Sequence, residues 1–136
     1  MRGQAAMEYL MMMGLALAML IPIWFYVNTT LSSTRGEMQA TYAKVAVSKL
    51  RDAADAVYIQ GPPARLYLEL VFPDNIGSAT VGSHEIMLRL QTPGGLSDVY
   101  SVTIGEVQGS LPTRGGLVRV LVKAEEGNYV NVTDNE

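Results

Sequence analysis

The stretch RGQAAMEYLMMMGLALAMLIPIWFYV, residues 2–27, decides the fold. From Tyr9 to Val27 it runs for 19 residues without a formal charge. At 1.5 Å rise per residue a helix of that length covers roughly 28 Å, close to the hydrocarbon thickness of a bilayer. Most of the methionines and the only tryptophan lie here. The exception is Glu8, a carboxylate at the head of the apolar run. In lipid it would cost on the order of 2.5 to 3.5 kcal/mol at the helix centre and less near the boundary.

Working outward, the segment NTTLSSTRGE (28–37) is polar, rich in β-branched Thr, and contains Gly36, which costs about 1 kcal/mol inside a helix. A bend or local melting is expected there. Beyond it, Met38, Tyr42, Val45, Ala46, Leu50, Ala53, Ala54 and Val57 recur at intervals of three or four and define an apolar helical face. Gln60-Gly61-Pro62-Pro63 stops the helix, because glycine suits the residue after the last turn and proline cannot continue it. The helix is expected from about Ala5 to Ile59, with its distal half wrapped by a head. RLYLELVF places Leu66, Leu68, Leu70 and Phe72 on one side of a strand, and EIMLRLQ does the same with Ile86, Leu88 and Leu90. Tyr100, Val102 and Ile104 alternate with Val99, Ser101 and Thr103. LVRVLVKA and YVNVT complete about five strands, with a lesser one near Val81. TPGGLS and LPTRGG punctuate them as turns. The reading is α+β: a long N-terminal α-helix carrying a small antiparallel β-rich head on its distal half. The divisions are residues 1–3, 4–27, 28–60 and 61–136.

Composition narrows the function. A net charge of −3 with scattered Lys and Arg offers no basic field, so no nucleic-acid partner is expected. The absence of cysteine removes disulfides, thiol nucleophiles and thiolate metal sites. His84 is the only histidine, and His84-Glu85 lacks the second histidine of the zinc protease pattern. It reads as an ordinary surface or packed residue. Glu125, Glu126, Asp134 and Glu136 lack calcium-loop spacing and read as solvated turns and termini. With no phosphate-cradling loop and no nucleophile elbow, no enzyme activity, catalytic residue, metal or cofactor is expected.

Arg2-Gly3-Gln4 followed by Ala5, Ala6, Met7, Glu8, Tyr9 and an apolar helix resembles the class III signal peptide of archaeal type IV pilin-like proteins. The motif covers about ten residues, and the leader carries a single basic residue. The resemblance implies a leader of residues 1–3 and cleavage between Gly3 and Gln4 by a prepilin peptidase. It also implies a membrane stage before assembly and a homo-polymer built through the N-terminal helices. An assembly ATPase and a platform protein are implied as partners. Glu8 would then be the acidic assembly residue, paired with a neighbouring subunit's N-terminal amine unless Gln4 cyclises. Met11, Met12 and Met13 would fill gaps in the polymer core, and Gly14, Ala16 and Ala18 would let backbones approach.

Two sequons, Asn28-Thr29-Thr30 and Asn131-Val132-Thr133, offer N-glycosylation sites. Asn131 is the better placed, since Asn28 lies at the membrane edge. Rival readings are a secretory signal cut after Ala16-Leu17-Ala18, an anchored enzyme, and a monomeric single-pass membrane-anchored extracellular binding protein. The first would expose a greasy new terminus, and the last leaves Glu8 unexplained.

Overall fold

The computed structural model describes residues 2–134. The chain is α+β: among the described residues a single helix, α1 (Arg2–Gln60), precedes seven strands. These are β1 (Arg65–Phe72), β2 (Ile76–Gly82), β3 (Glu85–Thr92), β4 (Gly95–Val102), β5 (Glu106–Gly109), β6 (Gly116–Glu125) and β7 (Tyr129–Asp134). Two compact units divide between Arg35 and Gly36.

The first unit is helical through residues 2–35, and every side chain described in it is exposed. Pro22 lies inside the helix and leaves one carbonyl without its usual donor. The local melting expected over residues 28–37 does not occur, for each of these residues is helical. The hydroxyls of Thr29, Thr30, Ser33 and Thr34 donate to the carbonyls of Phe25, Tyr26, Thr29 and Thr30 at 2.7, 2.9, 3.1 and 3.0 Å. Each polar group is thus satisfied within the helix instead of competing with it.

The second unit joins the rest of α1 to two sheets. Ala43, Ala46, Val47, Leu50, Ala53, Ala54 and Val57 are buried, at the three-and-four spacing of one helical face. This corrects the sequence reading, which put Met38, Tyr42 and Val45 on that face. They are 50, 41 and 48% exposed. The true face contains Ala43 and Val47 instead, and its four alanines bring the helix backbone close to the strands. α1 ends as expected: Gly61 takes φ +69° and its N–H reaches the Val57 carbonyl at 3.1 Å.

One sheet has the order β1-β6-β7-β5 and the other β2-β3-β4. All pairs are antiparallel except β5 with β7, which are parallel. Leu70 and Phe72 of β1, Val118, Val120, Val122 and Ala124 of β6, and Val130 and Val132 of β7 point inward. From the smaller sheet Ile86, Leu88 and Leu90 join the same core. Leu66, at the start of edge strand β1, is 40% exposed despite its even position. In β4 the bulkier set faces out. Val99 pairs with Leu88 on the inner face, so Leu96, Tyr100 and Val102 are left on the outer one.

α1 is held on both flanks. On the β1 side the Asp74 N–H donates to Gln39 Oε1 at 3.2 Å. On the β4 side the Ile104 N–H donates to Asp55 Oδ1 at 2.8 Å. There the Tyr58 ring lies so close to Gly105 that a β-carbon would not fit.

Candidate functional site

The candidate site is the first unit of α1. Its large apolar side chains from Met7 to Phe25 are between half and three-quarters exposed. Burying one such side chain fully is worth about 1.5 to 3 kcal/mol, so the segment as it stands leaves a large unrealised gain. The helix is long and apolar enough to cross a membrane, and its most apolar window is wholly unburied. That makes it compatible with membrane insertion or with burial among other helices.

Gly3 and Gln4 lie in the first turn of α1, where the backbone N–H groups have no intrahelical acceptor and fraying is easy. A β-carbon at Gly3 would meet nothing within 4 Å, so packing within the chain does not require glycine there. The same holds for Gly14. Glu8 is exposed and makes no hydrogen bond or ion pair among the described residues.

The sequons fall in regular structure. Asn28 is exposed on α1, and the Thr30 hydroxyl of its triplet is spent on the Tyr26 carbonyl. Asn131 is half-buried on β7, a strand flanked by β6 and β5, opposite Lys123 and Gln108. Its backbone is extended, and Thr133 faces the same side.

The remaining polar candidates do not converge. His84 is exposed in the β2–β3 turn, where its carbonyl accepts the Thr103 N–H at 2.9 Å. Glu125 pairs with Lys123 at 3.0 Å and Asp134 with Arg114 at 3.2 Å. Among the described residues no group of three His, Asp or Glu could hold a metal ion. A surface cleft of about 380 Å³ is lined by Pro62, Pro63, Glu126 and Tyr129, with Lys123 and Glu125 already engaged to each other. On the outer face of the smaller sheet, Arg89 holds Asp98 through two bonds of 2.7 and 2.8 Å. Hydrogen bonding to the guanidinium lowers the Asp98 pKa and the same bond raises that of Arg89, at exposed positions.

Sequence reasoning missed the outward stripe of the second unit. A signal for it exists: Leu10, Leu17, Trp24, Leu31, Met38 and Val45 recur every seven residues. The buried residues Ala43, Leu50 and Val57 share the same period, so it is the phase of Met38 and Val45 on the helix, not their spacing, that separates them from the buried face. The chain matches no protein-family model, no curated protein and no solved structure.

Proposed function

We propose that this chain is the structural subunit of an archaeal type IV pilus-like surface filament. A prepilin peptidase cuts it between Gly3 and Gln4, and it polymerises through the N-terminal helix to serve surface adhesion. The observation that carries the reading is one carboxylate, Glu8, four residues after Gln4 at the head of a helix whose most apolar window has no buried side chain. An ordinary anchor needs neither a glycine at position 3, which no packing demands, nor a charge at position 8. A filament subunit uses both, the first as the peptidase signal and the second as the partner of a neighbour's terminal amine. The membrane stores the subunits before assembly, and the assembly ATPase and platform protein draw them out of it.

The test is the mass of the mature N-terminal peptide from native cells. A peptide beginning at Gln4, with or without loss of ammonia, is expected in sheared extracellular fibres. A peptide retaining Arg2 on a chain that stays in the membrane fraction would return the protein to the rival class, a monomeric anchored binding protein.

A further inference from the structure

The second unit carries two apolar surfaces that its own fold leaves uncovered. The first is concave: a groove of about 290 Å³ between α1 and edge strand β1, lined by Tyr42, Val45, Leu70 and Val71, with Lys49 and Glu69 also in its walls. Met38 extends it along the helix. The second is a ridge on the outer face of β4, formed by Leu96, Tyr100, Val102 and the following Ile104, each about two-thirds exposed. Together these four expose on the order of 500 Å², within the range of the largest apolar patch on a typical monomer, which is often functional. On the ridge Asp98 and its cross-strand partner Arg89 neutralise each other, and the exposed Glu85 stands opposite Val102.

We infer that the ridge of one copy seats in the groove of the next, joining heads in a heterologous contact between copies of this chain. Three features select a second copy as the occupant. The surfaces lie on opposite flanks of the buried face of α1, since Tyr42, Val45 and Lys49 line the groove on one side of it and Asp55 holds Ile104 on the other, so one copy can use both at once. One is a groove and the other a row of protruding side chains, so unlike surfaces match where like ones would not. The ridge is net negative, through Glu85 beside the Arg89–Asp98 pair, and the groove net positive, through Lys49 beside Glu69 and its partner Arg119, so that unlike charges face each other across the contact. A heterologous contact whose rotation does not close generates an open helical assembly. The inference deepens the filament reading and rests on it for bringing the copies together in one orientation.

The chain has no cysteine, which makes the contact directly testable in the full-length protein. Val45→Cys, Tyr100→Cys and the double variant are produced in the native cells and treated with a short bis-maleimide in membranes and sheared fibres. The pair Met38→Cys with Val102→Cys is run in parallel to cover a shifted register. Both pairs lie at exposed positions, so folding is preserved. The double variants are expected to give a ladder beyond the dimer, a mixture of the two single variants a dimer only, and each single variant alone no product. Dimers from Tyr100→Cys alone, or no ladder from either pair, would overturn the inference. Fibres starting at Gln4 without a ladder leave the filament reading standing and remove this contact. A ladder in membranes without fibres does the reverse.

Discussion

Truncation of Leu50 tests whether the buried face of α1 is the one that holds the head. Leu50 is fully buried, and its helical neighbours three and four residues away are Ala46, Val47, Ala53 and Ala54. Leu50→Ala removes apolar atoms worth about 2 kcal/mol in transfer alone. The three alanines have no rotamer with which to fill the gap, so the cavity term adds in full and the loss should be about 3 to 5 kcal/mol. Val45, five positions earlier and half exposed, serves as the control. Val45→Ala should change stability by no more than about 0.5 kcal/mol. The assay is amide hydrogen exchange of the full chain in detergent micelles, read on the β6 amides that exchange by unfolding of the head. Leu50→Ala should accelerate them by about two to three and a half orders of magnitude, at tenfold for each 1.4 kcal/mol. Equal acceleration by the two variants, or none by Leu50→Ala, would refute the assignment of the helix face.

Gly109 has φ +132° and leaves no room for a β-carbon beside the Val132 carbonyl, so Gly109→Ala should break the parallel β5–β7 pair. The loss, about 2 to 3 kcal/mol, would appear as faster exchange of the Ser110 amide, which bonds to that carbonyl. Asp98 has a folded pKa below its unfolded value because of its hydrogen bond to Arg89, so its contribution is present above the ordinary aspartate value of 3.8 and disappears as pH falls through the lowered value. The melting temperatures of the wild type and Asp98→Asn should therefore converge on acidification, and also in high salt, since the pair is exposed. A gap that widens toward acid would contradict this assignment. Gly3→Leu should leave head stability unchanged but block processing, seen as an intact N-terminal peptide by mass spectrometry. Glu8→Ala should keep membrane insertion while reducing filament yield, and wild-type yield would remove Glu8 from the assembly role.

The α+β plan was legible because its strongest signals are local. The apolar run, the Gly61-Pro62 stop and the alternation in β1, β3 and β6 each follow from one element's own residues. What was not legible depended on partners. β5 has a single inward apolar residue, Val107, and gains its place by parallel pairing with β7, which no short-range pattern announces. The apparent melting signal at residues 28–37 failed because hydroxyls that disfavour a helix in isolation are absorbed by carbonyls four residues back. Met38 and Val45 are as apolar as the core residues, and they recur at the same seven-residue spacing as Ala43, Leu50 and Val57, so no local pattern separates the two stripes. Of the candidate site, the residues and their order were readable at once. That Gly3 lacks any packing reason required coordinates.

In the proposed filament the helix must be stable first in lipid and then among copies of itself. Lipid tails are as apolar as leucine side chains, so moving Leu, Ile, Met or Ala between the two surroundings changes the hydrophobic term little. The hydroxyls of Thr29, Thr30, Ser33 and Thr34 are bonded within the helix, so neither surrounding has to supply them with partners. Between Gly3 and Thr34 that leaves Glu8 as the only formal charge. At the membrane boundary water solvates its carboxylate, whereas an apolar bundle would leave it unpaired at a cost of several kcal/mol unless a neighbour contributes a positive group. A helix whose other residues tolerate both surroundings therefore has its register in the bundle set by the one residue that does not. Glu8 can fill that role only if its partner lies on another copy, since it has none among the described residues of its own chain.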